Sequence, residues 1–381
     1  MAAAVASTFD LPPVTTLSLV RDDLVEELAA AEALVVANRH DEAVEQLEAL
    51  WTDARCDAAL ALRQRLALAW SELQRGNLDH ADELLAQAAG IAQSPRFDAA
   101  DRAEVTFRQG CVTFQKNQVA EAIALLTRAI EANENAPRPR PLLASNAYEW
   151  RSRCYQMRRD WDAAGRDAER ALDLATRIGD ELAQGRALFQ ASLIAGRRQD
   201  MFVARLHGEQ ALDLFRKHGN TLATARILNN LGGIEMLLGE NTEAEQRLTE
   251  SIATADAAGS NADLAQAVSS LALLYLRTGR PAEARVRAER AAELLADRPD
   301  FLEELGSAQL TVARALAAEG DTACAGEWLD AADLSFNSIG STSHRAAALV
   351  ARGDLIRSLG DVDTAADYYR RAAESLQDVQ F

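Results

Sequence analysis

The chain has 381 residues, a formal net charge of −18, and 48% hydrophobic but only 5% aromatic residues. The acidic balance disfavours direct nucleic-acid binding and attachment to anionic membrane surfaces. The four cysteines (56, 111, 154 and 324) form no CxxC pair, so we expect reduced thiols in a cytoplasmic protein.

The N-terminal residues have the composition of a flexible tail. Residues 1–20 lack a basic start and a long apolar core, so they do not form a secretory signal. No apolar run in the sequence approaches the roughly 20 residues that span a bilayer. Repeated units begin near Arg21, which leaves no room for a helix-turn-helix domain, so direct DNA binding is not expected.

Alanine recurs along the rest of the chain at a nearly fixed interval. Successive members lie 38 to 42 residues apart. They are Ala43, Ala81, Ala122, Ala164, Ala204, Ala244, Ala284, Ala325 and Ala365. A period this steady indicates one structural unit copied end to end, which is typical of solenoid proteins.

A turn precedes each of these alanines. The turns contain Asn38-Arg39, Gly76-Asn77, Asn117-Gln118, Arg159-Asp160, Gln199-Asp200, Gly239-Glu240, Gly279-Arg280, Gly320-Asp321 and Gly360-Asp361. Glycine and asparagine tolerate the left-handed backbone that ends a helix, and a following Asp or Asn can cap the next helix. Apolar residues at helical spacing flank the turns, so each unit is predicted to be a helix, a tight turn and a helix.

A second turn separates one unit from the next. These turns contain Gly179-Asp180, Gly219-Asn220, Gly259-Ser260 and Gly340-Ser341. All eight prolines fall in the tail or at predicted helix boundaries, where a missing N–H does least harm. No alternating, valine- and isoleucine-rich segment indicates a strand. The sequence therefore predicts an all-α chain.

Two units carry residues that point to one family. The first contains Leu228-Asn229-Asn230-Leu231-Gly232 and Glu243-Ala244, and the second contains Arg108-Gln109-Gly110 and Glu121-Ala122-Ile123. They resemble the tetratricopeptide repeat, and the resemblance extends over about residues 22–378. Units of about forty residues are similar to the long-helix variety of kinesin light chains, spindle-orientation adaptors and bacterial regulators.

The resemblance implies an α-solenoid, a right-handed superhelix of about nine helix-turn-helix repeats. We expect it to form a single domain over residues 21–378, after a flexible tail of residues 1–20. The small residues at the family positions, such as Gly110 and Gly232, would let the two helices of a hairpin approach closely.

Motifs for catalysis are missing from the sequence. It contains no phosphate-binding loop, dinucleotide fingerprint, HExxH helix or GxSxG elbow. The five histidines (40, 80, 207, 218 and 344) lie far apart and are interpreted as solvated residues instead of metal ligands. We therefore expect no catalytic residues, no metal and no cofactor.

In tetratricopeptide arrays the first helix of each pair lines a concave groove, and the resemblance places a set of polar and aromatic side chains there. The predicted partner-binding residues are Arg108, Asn146, Trp150, Arg153, Arg186, Phe189, Gln190, Arg197, Arg226, Asn229, Asn230 and Met236. Asparagine can hold the backbone of a peptide through its donor and acceptor, and arginine can bind a carboxylate. Asn229 and Asn230 match the family's peptide-holding asparagines.

Alternative interpretations stay open for these side chains. The arginines at 153, 186 and 197 either bind an acidic partner or pair with Glu149, Glu181 or Asp200 on solvated helix faces, where such pairs contribute about 0–1 kcal/mol. The aromatic residues at 107, 150 and 189 either anchor a partner or pack between helices. Tyr368 and Tyr369 either fill the last hairpin or support self-association.

Charge is distributed unevenly. Residues 137–220 contain 15 Arg and Lys against 11 Asp and Glu, which leaves a net charge of −22 for the remainder. The resemblance, with the lack of catalytic motifs, implies a non-enzymatic scaffold or adaptor that binds a peptide segment of a protein partner in its concave groove, and the basic stretch favours an acidic partner. The alternative is a regulatory or sensor module of a bacterial transcription or signalling system that responds to a peptide or small ligand.

Overall fold

The fold consists of helices over the residues that the structure describes. The computed structural model describes residues 14–37, 39–50 and 57–377, and these contain no strand. Contacts divide the chain into two compact units, Met1–Gln190 and Ala191–Phe381, and the division falls within one helix. The expectation of one domain over residues 21–378 stays a prediction.

In its described part the first unit contains eight complete helices. They are α1 (Val14–Val36), α2 (His40–Ala49), α3 (Ala58–Arg75), α4 (Leu78–Ala92), α5 (Ala99–Gln115), α6 (Val119–Glu134), α7 (Pro141–Met157) and α8 (Trp161–Ile178). The division between the units lies within α9 (Glu181–Arg197).

The second unit continues with the remaining helices of the described chain. They are α10 (Met201–Lys217), α11 (Thr221–Leu238), α12 (Asn241–Ala257), α13 (Asn261–Arg277), α14 (Pro281–Leu295), a short 3-10 turn (Pro299–Phe301), α15 (Leu302–Glu319), α16 (Thr322–Ser338), α17 (Thr342–Ser358) and α18 (Val362–Gln377). None of the helices in the described ranges is both long and apolar enough to cross a bilayer.

Consecutive helices pack as hairpins, and consecutive hairpins stack. In the first unit α5 packs on α6 and α7 on α8, and in the second unit α11 packs on α12 and α13 on α14. Second helices also contact the first helix of the next pair, as α6 does with α7 and α12 with α13. First helices of neighbouring pairs contact each other as well, namely α3 with α5, α5 with α7, α11 with α13 and α13 with α15. This pattern is that of an α-solenoid, and the predicted fold class is confirmed.

Among the described residues, eight turns within hairpins contain a residue with left-handed backbone. At Gly239 the φ angle is +82°, a conformation that glycine adopts without strain. Arg159 and Gln199 adopt it with side chains, at φ angles of +58° and +64°. Where an aspartate follows the turn it caps the next helix: the Asp160 side chain accepts a hydrogen bond from the Ala163 N–H at 3.0 Å.

The recurrent alanines lie where the two helices of a hairpin are closest. Each of the nine is at most 1% exposed. In the hairpin of α11 and α12, the Ala244 carbonyl oxygen and the Leu248 side chain lie directly against Gly232. One repeat earlier a serine takes the place of this glycine, and the Ser192 hydroxyl donates to the Ala204 carbonyl oxygen at 2.7 Å. Small residues on the first helix therefore allow the close approach that the sequence indicated.

Ion pairs connect the second helix of one hairpin to the end of the first helix, or to the turn, of the next hairpin. In the second unit these junction ion pairs are Arg205–Glu240 at 2.7 Å, Glu245–Arg280 at 2.8 Å and Arg285–Glu319 at 2.9 Å. In the first unit they are Asp41–Arg75 at 2.8 Å and Asp82–Lys116 at 2.6 Å. In the second unit the sign of the charge on each side alternates from one of these junctions to the next, whereas both first-unit junctions have the carboxylate on the second helix.

The N-terminal boundary differs from the prediction. Helix α1 begins at Val14, so residues 14–20 of the predicted tail are helical. Residues 1–13 lie outside the described residues, as do the predicted turn residue Asn38 and Cys56. Prolines begin helices α7 and α14, at Pro141 and Pro281, as the boundary interpretation requires.

Candidate interaction surfaces

Aromatic side chains from three first helices form a cluster in the first unit. Trp70 of α3 and Trp150 of α7 lie with ring centroids 5.9 Å apart in an edge-on arrangement. Trp70 also stacks on Phe107 of α5 at 6.5 Å, and Phe114 meets Trp150 edge-on at 5.7 Å. Trp150 and Phe107 are only 6% and 3% exposed. These two side chains therefore pack between helices instead of projecting into a groove. Of the two alternatives, partner anchor or inter-helix packing, they show the second.

Two arginines lie against this cluster and differ in their partners. The Arg108 guanidinium is 5.3 Å from the Trp70 centroid, and it also pairs with Glu104 at 2.8 Å. The Arg153 guanidinium lies 4.2 Å from the Trp150 centroid and 5.3 Å from that of Phe114. Within the described ranges Arg153 has no carboxylate partner. Its positive charge is therefore held on aromatic faces without being neutralised.

The other predicted side chains of the first unit are linked to each other. Arg186 donates from Nη2 to the Asn146 side-chain oxygen at 2.8 Å, and its Nε lies 3.9 Å from the Glu149 carboxylate. Gln156 donates to the Gln190 side-chain oxygen at 2.8 Å. Of the two alternatives for Arg186, the structure shows a long pairing with Glu149.

Solvent access differs between the remaining two positions of this set. Gln190 is buried, and Phe189 is half-buried. Of the two, Phe189 alone keeps partial access to solvent, so it is the more accessible contact for a ligand.

The two asparagines of α11 have different hydrogen bonding. Asn230 donates from Nδ2 to the Ser192 hydroxyl at 2.9 Å, so this side chain already has a partner. The Asn229 side-chain oxygen is buried and accepts no hydrogen bond from the described residues. Of the two, Asn229 therefore has the unsatisfied acceptor.

The two predicted arginines of the second unit also differ. Arg226 forms a two-pronged ion pair with Asp263 of α13, with N–O distances of 2.7 and 3.1 Å. Arg197 is exposed and has no ion-pair partner within the described ranges. An acidic ligand would have to compete with Asp263 for Arg226 but would meet no competitor at Arg197.

The prediction that Met236 projects into a groove is wrong. Met236 is 8% exposed and packs with Leu271, Leu274 and Tyr275 in the core. These residues belong to α13, so the C-terminal end of α11 is covered by the next pair. The neighbouring Leu237 is 59% exposed instead.

The thiols of the described residues are not activated. Cys111 and Cys154 are buried, and burial raises the pKa of both, that of Cys154 to about 12. Cys324 is exposed, and a hydrogen bond with Asp321 raises its pKa. Since the thiolate is the nucleophile, these cysteines are poor nucleophiles. The described residues also contain no group of three or more His, Cys, Asp and Glu that could hold a metal ion.

Two members of the aromatic cluster, Trp70 and Phe114, were not recognised from the sequence. Trp70 lies 11 residues before Ala81, whereas Trp150 lies 14 residues before Ala164, so the two tryptophans do not occupy equivalent repeat positions. The repeat pattern therefore gave no signal that would have paired them.

The two tyrosines of the last hairpin, Tyr368 and Tyr369, have different surroundings. The ring of Tyr369 packs against Gly353, and its hydroxyl donates to Asp354 at 2.7 Å. Tyr369 therefore fills the hairpin between α17 and α18. Tyr368 is half-buried, with Arg371 5.2 Å from its ring centroid.

Stacked helix pairs with an extended first-helix surface define the class of protein, a repeat protein of the α-solenoid type. Residues 223–297 match the family model of the tetratricopeptide repeat. This segment therefore contains tetratricopeptide repeats, and the resemblance found in the sequence is confirmed there. No curated protein matches the chain in sequence.

Several solved structures have a similar fold. A Rap protein complexed with competence and sporulation factor aligns with a TM-score of 0.68 at 18% identity, over 93% of this chain and 98% of that one. The apo form of the quorum sensor NprR from B. thuringiensis aligns with 0.65 at 13% identity, over 94% and 99%. Aspartyl phosphate phosphatase F from Bacillus subtilis aligns with 0.59 at 12% identity, over 100% and 97%. At these identities the likeness concerns the fold.

Proposed function

We propose that the chain is a non-enzymatic, cytoplasmic interaction scaffold whose first-helix surfaces bind a peptide segment of a protein partner. The observation that carries this proposal is Arg153, a guanidinium held 4.2 Å from the Trp150 centroid with no carboxylate partner in the described ranges. A cation fixed on aromatic rings is ordered before binding, so it loses little side-chain entropy when a carboxylate arrives.

An acidic segment is the ligand that this surface favours. Residues 137–220, which include Arg153, have a net charge of +4 in an otherwise acidic chain. The Arg186 side chain adds a second positive charge that is only loosely held, since its Nε lies 3.9 Å from Glu149. A carboxylate of a partner could therefore bind Arg153 without breaking a close ion pair.

In the second unit, Asn229 supplies a contact for the peptide backbone. Its buried side-chain oxygen has no donor from the described residues. A backbone N–H of an extended segment would satisfy it without reading the sequence of that segment.

Affinity purification from the native host tests the proposal with two variants of equal charge change. Arg153→Glu reverses the charge on the first-helix surface. Arg177→Glu is the matched control, because Arg177 lies on the second helix α8 and is 66% exposed. A partner that is lost with Arg153→Glu and kept with Arg177→Glu supports the proposal. Equal retention by both variants contradicts it.

A regulatory module that senses a ligand is the second candidate. The observation that favours it is the fold similarity to the quorum sensor NprR and to a Rap protein complexed with competence and sporulation factor. Small-angle scattering with and without the peptide identified by the purification separates the two candidates. A changed profile supports sensing, whereas an unchanged profile supports a passive scaffold.

A further inference from the structure

A cleft of about 520 Å³ opens in the second unit between its second helices α10 and α12. Arg205 of α10 forms the junction ion pair with Glu240 there, at 2.7 Å. Arg247 of α12 pairs with Glu209 of α10 and with Glu235 of α11. Both guanidinium groups of the cleft are thus already paired with carboxylates. The volume lies in the range of about 300–1,000 Å³ that is usual for ligand sites.

Glu235 is the buried member of this cleft, with 3% of its surface exposed. Its Oε1 accepts a hydrogen bond from Arg247 Nε at 3.2 Å, while Oε2 has no partner from the described residues. Burial raises the pKa of this carboxyl, and the nearby Arg247 lowers it in part. A buried carboxylate oxygen without a donor is unfavourable, so the cleft presents an acceptor that a ligand can satisfy.

The next repeat shows that this carboxylate is not required by the packing. Forty residues later Tyr275 takes the place of Glu235. Its hydroxyl donates to Glu245 at 2.9 Å, and its ring centroid lies 4.0 Å from the Arg280 guanidinium. At that junction the Tyr275 hydroxyl and the Arg280 guanidinium both have Glu245 as a partner, whereas Glu235 Oε2 has none from the described residues.

The same comparison explains the charge of the cleft. Glu240 stands where Arg280 stands one repeat later. Arg280 pairs with Glu283 at 2.6 Å, but the equivalent Glu243 has no ion-pair partner within the described ranges. Four carboxylates and two guanidiniums line the cleft, so its net charge is −2 when all are ionised. The cleft therefore favours a cation.

Two apolar side chains lie beside these charges. Phe202 and Leu206 are one turn apart on α10 and are 69% and 56% exposed. The equivalent residues of the next repeat are Thr242 and Gln246, which are polar. Exposed apolar residues beside an acidic cleft form a surface that suits a cationic side chain with an apolar neighbour.

We propose that this cleft binds a lysine side chain of a partner polypeptide, with the ammonium group at Glu235 Oε2 and Glu243 and an adjacent apolar side chain against Phe202 and Leu206. An ammonium group brings one positive charge and three donors to the unpartnered oxygen. A metal ion does not fit, because the described residues contain no cluster of three or more suitable ligands. The site lies on the second-helix side and does not depend on the first-helix surfaces.

Saturation-transfer NMR titrations of the full chain with defined peptides test the site. The probe is acetyl-Ala-Leu-Lys-Leu-Ala-amide, and its uncharged control carries norleucine in place of lysine. We expect saturable binding of the lysine peptide and about tenfold weaker binding of the norleucine peptide. Glu235→Gln, which keeps the shape and removes the charge, should weaken the lysine peptide about tenfold.

A second variant and two controls keep the proposal open to disproof. The double variant Phe202→Thr with Leu206→Gln introduces the residues of the next repeat, and we expect it to weaken the lysine peptide about threefold. Arg153→Glu should leave the binding of the lysine peptide unchanged. A failure of the scaffold proposal, which the affinity purification measures, would therefore not affect this test. Equal binding of both peptides, or of the wild type and Glu235→Gln, would overturn the site. Equal binding of n-butylammonium would overturn the polypeptide occupant.

Discussion

Gly232 of α11 faces Leu248 of α12 so closely that a Cβ atom built on the glycine would lie 2.6 Å from Leu248 Cγ. Leu248 is fully buried, so it cannot move away easily. The next residue, Gly233, has no atom within 4 Å of an equivalent Cβ. Two adjacent glycines of one helix therefore differ in what they allow.

We predict opposite effects for alanine at these two positions. Gly232→Ala should destabilise the protein by about 1–2 kcal/mol, because overpacking outweighs the gain in helix propensity. Gly233→Ala should stabilise it by about 1 kcal/mol, because only the propensity changes. The midpoint of urea unfolding followed by circular dichroism measures both. Shifts of the same sign in the two variants would show that the hairpin is not as tightly packed as described.

The asparagines of α11 give a second prediction, which separates stability from binding. Asn229→Ala should change the free energy of unfolding by less than about 0.5 kcal/mol, since the side-chain oxygen has no hydrogen bond to lose. Asn230→Ala should cost about 1 kcal/mol, since it removes the bond to Ser192. Urea unfolding and titration with the partner segment measure the two effects. If Asn229→Ala weakens folding as much as Asn230→Ala, its oxygen has a partner in solution.

Glu235 makes a pH-dependent contribution to stability. Its pKa is raised by burial, so the native state holds a proton at pH values where the unfolded state has lost it. As the pH rises from the usual glutamate range through the raised pKa, this residue makes the wild type less stable. Glu235→Gln should therefore gain stability relative to the wild type over that interval and level off above it.

Urea unfolding at a series of pH values between about 4 and 8 measures this difference. Glu283→Gln is the control, because Arg280 lowers the pKa of Glu283 through a hydrogen bond. The pH dependence of stability then has the opposite sign, because the stability that Glu283 contributes to the wild type is lost as the pH falls through the lowered pKa. A flat difference for Glu235→Gln would mean that its carboxyl is solvated in the native protein.

Thiol labelling tests the state of the cysteines. Cys111 and Cys154 should not react with a maleimide in the native protein, because they are buried and their pKa values are raised. Cys324 should react, but more slowly than a free thiol, because the hydrogen bond with Asp321 raises its pKa. Peptide mapping by mass spectrometry after timed labelling measures each site.

Asp321→Asn is the matched variant for this measurement. The amide oxygen can still cap α16, as the Asp321 carboxylate does by accepting from the Cys324 N–H at 3.1 Å. Loss of the negative charge should lower the pKa of Cys324 and speed its labelling. An unchanged rate would show that the thiol does not interact with Asp321.

Most of the fold could be predicted from the sequence, because hairpin structure is local. The recurrent alanines are almost fully buried, and the left-handed residues occur at the predicted turns, including Arg159 and Gln199. Each of these features depends on residues within about one repeat. The small side chains needed for close helix contact and the capping residues can be read directly.

Contacts between repeats were less accessible to prediction. Met236 lies seven residues after Asn229, so helical spacing places both on the same face, but Met236 is buried against Leu271, Leu274 and Tyr275 of α13. Arg226 was predicted to be available, whereas Asp263, 37 residues later, pairs with it. Such pairings depend on how hairpins stack, which a single hairpin does not specify.

The junction ion pairs have a consequence for the order in which repeats can be joined. Arg205 meets Glu240, while the next junction has Glu245 opposite Arg280. Excision of the hairpin of residues 221–260 would bring Arg205 opposite Arg280, two like charges. Excision of two hairpins, residues 221–300, would bring Arg205 opposite Glu319 and restore attraction. Each surface pair contributes little energy. Even so, the alternating signs in the second unit restrict which hairpins can follow one another, and so limit the shuffling, duplication and loss of repeats.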